Sequence, residues 1–312
     1  MKQDAFEQAN TAEWASFEEL CAGARGDLPR SYRRICQHLA LARHRCYSAG
    51  LIQRLNALVL RGHQELYGHA PGPVQGWTTW AGAFPRRVRA LRGPVLLAAL
   101  LFALPFGGLT QAVRRSPERA FLVEDPQALA RMEAMYEGGN GRFGREDQAD
   151  TDVMMFGFYI WNNVRLGFQA FAGGLLLGLG ALLFLVLNGL HAGAVAGWLT
   201  QAGLGGNFWS FVVTHTAFEI PSLVLSGAAG LRVGWSLLAP GRHSRLQALR
   251  RAVKEVLPLV YGAAAMDVLA AGLEAFWSSS ARVPQGAKFG AGAMLWTAVA
   301  GYFLLAGRRR AR

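Results

Sequence analysis

Four ionisable side chains interrupt otherwise apolar stretches of this 312-residue chain: His215, Glu219, Asp267 and Glu274. His215 and Glu219, in the string THTAFEIP, are four residues apart, which sets both on one helix face within reach of each other. Asp267 and Glu274 are seven apart, again on one face. Pro221 lacks an amide hydrogen and frees a carbonyl near Ala217, adding an acceptor nearby. Asn162 and Asn163 precede the apolar run 166–187, and Asn188 with His191 follows it. An ionisable group at membrane depth costs about 3 kcal/mol on insertion scales, so each of these needs a reason. One reason is a polar cavity that carries protons or binds a polar ligand or a metal. A plainer one is a set of hydrogen bonds and ion pairs that fix helix registry. Hydrolytic chemistry is the third. The His–Glu spacing is superficially that of zinc ligands, but HExxH is absent and no third ligand is evident. The sequence therefore assigns no metal, no cofactor and no catalytic residue, and the chain reads as a non-enzyme.

The elements that must position these residues are membrane spans. The chain is 52% hydrophobic and only 17% charged, with its charge concentrated in residues 1–92. The runs 93–110, 166–187, 208–238, 255–277 and 287–306 are nearly free of Lys and Arg. Runs of about 20 residues at 1.5 Å per residue match a hydrocarbon core of about 30 Å. The stretch 189–206, rich in Gly and Ala, supplies a further and shorter crossing that begins after Asn188. Six crossings follow, the third short, the fourth (208–238) broken at Pro221, and the first kinked at Pro105. Residues 152–165, where aromatics flank a polar pair, read as an amphipathic helix leading into the second span. The fold class is all-α: a polytopic transmembrane helical bundle over 93–312 with an N-terminal cytosolic helical domain.

Charge sets the orientation. Arg86, Arg87, Arg89 and Arg92 precede the first span, Arg242, Arg245, Arg250, Arg251 and Lys254 occupy the loop 239–254, and Arg308, Arg309, Arg310 and Arg312 end the sequence. These are cytosolic clusters under the positive-inside bias, and they account for the formal charge of +12 without nucleic acid. The loop 111–151 carries eight acidic against six basic side chains and faces outward, with GGNGRFG as a flexible core. The N-terminus lacks the basic and apolar regions of a secretory signal, so both termini are expected in the cytosol.

Residues 1–76 form a small unit of three helices, at 12–24, 28–46 and 51–67, with apolar residues at three- and four-residue steps. Cys21, Cys36 and Cys46 lie there, odd in number and in no CxxC pair, and read as reduced packing residues. Residues 77–92, with Trp77, Trp80 and Phe84 ahead of four Arg, have the composition of an interfacial segment. Glycines recur at three- to four-residue steps: Gly173, Gly174, Gly178 and Gly180, then Gly189, Gly193 and Gly197, then Gly227, Gly230 and Gly234. Such stripes let helix backbones approach closely, within the chain or between copies of it.

Two regions together resemble the stage II sporulation protein M family. The stretch SYRRICQHLALARHRCYSAGLIQRLNALVLRGHQELYG is similar to an LYR-like motif followed by LA-AR and LN-LV-R-H-x-x-Y, through Tyr32, Arg33, Arg43, Asn56, Arg61, His63 and Tyr67 among others. NNVRLGFQAFAGG, LNGLHAGAV and THTAFEIPSLVLSGAAGLRVG resemble the family's N-N, N-G and H-G-x-x-E-[LI]-[PA] blocks. Thr216 departs from the glycine that usually follows the histidine. The resemblance implies a multi-pass protein of the bacterial cytoplasmic membrane that acts as a scaffold. In sporulating relatives the scaffold positions cell-wall hydrolases. For other relatives the resemblance implies envelope or membrane partners such as MoxR-type ATPases and RDD-family proteins. The alternative function is a transporter or channel built on the intramembrane polar residues.

Overall fold

Apolar residues spaced by three and four close a core among the first three helices. The computed structural model describes residues 2–24, 26–67, 73–137, 141–145 and 151–307, with side chains 67–80 outside the description. In it α1 (Gln3–Cys21), α2 (Leu28–His44) and α3 (Ala49–Tyr67) bury Phe6, Trp14, Phe17, Ile35, Leu39 and Leu55 together. Asp27 caps α2 by accepting from the Arg30 amide at 3.0 Å, and Pro29 sits in the first turn. Arg43 donates to Asn56 Oδ1 at 2.8 Å and ties α2 to α3. Gly62 leaves room for the rings of Phe17 and Tyr32, while Arg33, Arg61 and His63 lie on the surface. The three cysteines are free, and only Cys21 is buried. The buried face of α2 centres on Ile35, so Cys36 falls at its edge, and Cys46 lies beyond the helix end in exposed chain.

The chain divides into two compact units, Met1–Thr78 and Thr79–Arg312, and α4 (Pro73–Ala90) crosses the division. The second unit continues with α5 (Arg92–Arg115), α6 (Pro126–Glu137), α7 (Asp152–Ala172), α8 (Leu179–Gln201), α9 (Gly205–Leu238), α10 (Arg245–Leu273, ending in a wide π-turn over Glu274–Ser278) and α11 (Gln285–Leu305). Among the described residues there is no strand. Five of these helices, α5 and α8 to α11, are long and apolar enough to cross a membrane. The sixth long helix of the bundle is α7, more polar but 21 residues long. It runs parallel to α9: Gly167 meets Ser226, the Ala170 and Phe171 carbonyls meet Gly230, and in the corner that follows Gly178 meets Gly234. The start of α5 and the end of α11 share one end of the bundle, because Arg89 donates to the carbonyls of Phe303 at 2.5 Å and Ala306 at 2.8 Å.

Three expectations about the spans change. The apolar run 166–187 is not one helix: it contains the end of α7, a tight corner at 173–178 and the start of α8. Gly178 makes the corner with a φ of +86°, and a Cβ at Gly174 would lie 2.2 Å from the Gly230 carbonyl oxygen, so only glycine fits there. The third crossing is therefore not short, since α8 runs 23 residues straight through Asn188, whose amide is satisfied by the Phe184 carbonyl at 2.7 Å. The fourth is not broken, since α9 continues for 34 residues through Pro221. A proline removes one ladder hydrogen bond, and here the flanking Ala217 and Ser222 are fully packed and hold the helix on either side.

The basic and aromatic stretch before the first span also packs inward. Phe84, Val88 and Leu91 are buried against Ala252, Val256 and Leu259 of α10 and Val299 of α11. The loop expected over 111–151 is partly helical: α6 places Tyr136 against Phe208 and Phe211, and Glu133 accepts from Trp198 Nε1 at 2.7 Å. Its described part 141–145 is seated, not loose, because Gly144 sits on the Phe211 ring and Phe143 N donates to the Ser279 carbonyl at 2.8 Å. The glycine stripes are used within the chain: Gly189, Gly193 and Gly197 face α5, and Gly227 faces Leu185. The expectations for Trp77, Trp80 and the terminal arginines lie outside the described residues.

Candidate intramembrane site

The site is built where α9 passes the wide turn that ends α10. Along α9 the four-residue spacing stacks His215 above Glu219, with Nε2 and Oε2 3.8 Å apart. The π-turn carries Glu274 and Ser278 toward them. Such turns are rare and recur at functional sites. One ligand atom each from His215, Glu219 and Glu274 falls within 4.8 Å of the others. Glu274, a candidate from the sequence, is thus the third ligand-type residue, which sequence spacing alone did not join to this pair.

Ser278 orients the imidazole. Its Oγ lies 3.1 Å from His215 Nδ1 and 2.6 Å from Thr214 Oγ1. With Nδ1 engaged, Nε2 is the nitrogen that faces Glu219. The Ser278 carbonyl in turn accepts from the fully buried Lys288 at 2.6 Å, and that ammonium also stands 5.3 Å from the Phe143 ring centre. Asp267 lies deeper along α10, buried, accepting from Ser222 and flanked by Gly167 and Ser226.

The rim of the site is closed by charge. Arg145, buried although it belongs to a loop, pairs with Asp152 at 2.7 Å and donates to the Ala275 carbonyl at 2.6 Å. Arg142 takes the other Asp152 oxygen at 2.6 Å. Arg145 also interacts electrostatically with Glu274. Two ionised carboxylates no more than 4.8 Å apart, such as Glu219 and Glu274, repel by at least about 3.5 kcal/mol at an effective dielectric of about 20. They need a compensating positive charge beyond that of Arg145, whose terminal nitrogens are bound to Asp152, the Ala275 carbonyl and Ser279.

The structure gathers some of the candidate residues and separates others. His215, Glu219 and Glu274 converge, Asp267 lies within electrostatic reach of Glu219, and Asn163 is buried on the α7 face shared by Tyr159 and Gly167. Asn162 donates to Asn163 Oδ1 at 3.2 Å. Asn188 and His191 are not part of the group: Asn188 bonds within its own helix, and the exposed His191 pairs with Glu124, between α5 and α6. Arg145, Tyr159, Ser278 and Lys288 were missed. For Lys288 a signal existed, a lone cation at the start of an apolar run; for Arg145 there was none, since a loop arginine among many reads as solvated.

Comparison with known proteins adds two matches. A family model described as Stage II sporulation protein M matches residues 93–279, and a domain of unknown function (DUF8413) matches residues 4–68. The motif residues Tyr32, Arg33, Arg43, Asn56, Arg61 and His63 fall in the second match, outside the first. No curated protein and no solved structure matches the chain.

Proposed function

This chain belongs to the stage II sporulation protein M family, and on that footing we propose that it is an integral membrane scaffold of the bacterial cell envelope. The observation that carries the reading is the N-terminal unit. It has a core of its own, matches a domain distinct from the bundle, and turns Arg33, Arg61 and His63 outward. That unit is the recruiting surface, and the bundle is its anchor in the cytoplasmic membrane. The basic clusters at Arg86–Arg92 and Arg242–Lys254 support a cytosolic N-terminus. An even number of long helices then returns the C-terminus to the same side. The partners are membrane or envelope proteins, with an ATPase of the MoxR type or an RDD-family protein as first candidates, and the role needs no catalysis. Affinity purification of the full chain in mild detergent should recover such partners, and deletion of residues 1–76 should lose them. Recovery unchanged by the deletion refutes the scaffold.

A second reading, transport, is favoured by Glu219 and Glu274, which remain only half-buried inside the bundle beside a buried histidine. Proteoliposomes should then pass protons, ions or a small solute, with Glu219→Gln altering the flux. Absence of flux for all three sinks this reading.

A further inference from the structure

We propose that His215, Glu219 and Glu274 bind one divalent transition-metal ion, with Zn2+ the best fit. This inference goes beyond both functional readings and depends on neither. The three ligand atoms lie within 4.8 Å of one another on two rigid helices. The His215–Glu219 separation of 3.8 Å is too long for a hydrogen bond. It is close to the spacing of two ligands that share an ion at about 2.1 Å from each. Had these residues only fixed helix registry, their polar atoms would be paired with each other or with neighbours. Instead, among the described residues no hydrogen bond reaches the carboxylate of Glu219 or of Glu274, and a dication supplies the charge that two adjacent carboxylates lack.

The surroundings point to the same ligand. Ser278 holds Nδ1 and leaves Nε2 to coordinate, the outer contact that metal-bound histidines use to fix their ring. Tyr159, 6% exposed, sets its hydroxyl beside Arg145, and that hydroxyl interacts electrostatically with both Glu274 and Glu219. Asn163, 4% exposed and one turn along α7, has an amide nitrogen without a partner. The Tyr159 hydroxyl, buried beside the carboxylates, is placed to bond a water in the fourth coordination position. One imidazole and two carboxylates suit Zn2+, with Mn2+ and Fe2+ next, and disfavour Mg2+ and Ca2+, which take oxygen ligands.

The test uses the full chain without a histidine tag, purified in detergent, stripped by chelator and dialysed against Zn2+. We expect one zinc retained per chain. Glu219→Gln and Glu274→Gln should each weaken binding by at least ~100-fold, beyond the ten- to hundredfold typical of an outer-sphere loss, and Tyr159→Phe by about tenfold. His191→Ala, remote from the site, should leave binding unchanged. X-ray absorption of the zinc-loaded wild type should show nitrogen and oxygen scatterers at about 2.0–2.1 Å and no sulfur, a readout that needs no variant to fold. Failure of the wild type to retain zinc or manganese, sulfur in the absorption spectrum, or unchanged affinity in well-folded Glu219→Gln and Glu274→Gln proteins overturns the proposal.

Discussion

Replacing Arg145 by Met removes the guanidinium and keeps most of the stem. Three contacts are lost: the Asp152 pair at 2.7 Å, the bond to the Ala275 carbonyl at 2.6 Å and that to Ser279 Oγ at 3.2 Å. Breaking a buried ion pair costs about 3–5 kcal/mol when the remaining charge is stranded. Here Asp152 is part-exposed and keeps Arg142, and the Ala275 carbonyl keeps a bond from Ser279 at 2.9 Å. The unpartnered Arg145 Nε also disappears, which returns some stability. The net loss is about 2.5 kcal/mol. At roughly 3 °C per kcal/mol for a unit of this size, the midpoint falls by about 8 °C. Arg142 serves as the comparison. It binds the same carboxylate at the same distance, but its side chain is 34% exposed against 3% for Arg145. Arg142→Met should cost only about 0.5 kcal/mol, or a degree or two. The assay is the apparent melting midpoint in detergent, read as loss of the monodisperse peak in size-exclusion chromatography. Equal shifts for the two variants, or a shift under about 2 °C for Arg145→Met, would show that the rim is not held as described.

Three further outcomes are expected. A Cβ at Gly174 meets the Gly230 backbone within 2.6 Å, so Gly174→Val should cost 3 kcal/mol or more, roughly, and lower the yield of folded protein, whereas Gly157→Ala, with open space around it, should not. Burial holds the His38 ring below its ordinary pKa of 6.5, and Trp14 Nε1 donates to its Nδ1 at 3.1 Å, so the folded unit keeps the ring neutral. The unfolded chain then takes the proton first: the N-terminal unit is fully stable above about pH 6.5 and weakens as pH falls from there toward the lower folded value, and pulse proteolysis of the full chain that stays flat across that window would contradict this. Cys46 is the exposed one of the three cysteines, all of them in the N-terminal unit. A membrane-impermeant maleimide should label it only after spheroplasts are permeabilised, and labelling of intact spheroplasts would place that unit on the other side.

The sequence was most informative where a property repeats along one element. Three-residue and four-residue spacing revealed α2 and α3, and length with hydropathy revealed α5, α9, α10 and α11. The corner at 173–178 escaped because averaging over an apolar run cannot see a backbone turn, and its determinants are Gly178 at positive φ and the contact of Gly174 with Gly230. The helix α7 was read as a lead-in because Asn162, Asn163 and Arg165 lower its hydropathy; yet Asn163 turns inward, and Arg165 lies over Trp161 at 4.6 Å. His215 and Glu219 were legible as a pair because one helix carries both. Glu274 was not, because its place beside them depends on how α10 packs on α9 and on the extra residue of the π-turn. Asn188 and His191 show the converse: a polar residue in an apolar run signals a cost, but nothing in the sequence gives the direction it faces.

The 34 residues of α9 span about 51 Å, well beyond a hydrocarbon core of about 30 Å. Arg232 near its end pairs with Glu255 of α10 at 2.8 Å, both side chains part-exposed. Counting back along the helix, Glu219 and His215 lie about 20 and 26 Å from Arg232, on the side of the Arg142–Asp152–Arg145 rim. If the bilayer begins at Arg232, a small species bound at the proposed cluster exchanges with the rim side, since about two-thirds of a hydrocarbon core of about 30 Å separates Glu219 from the Arg232 end.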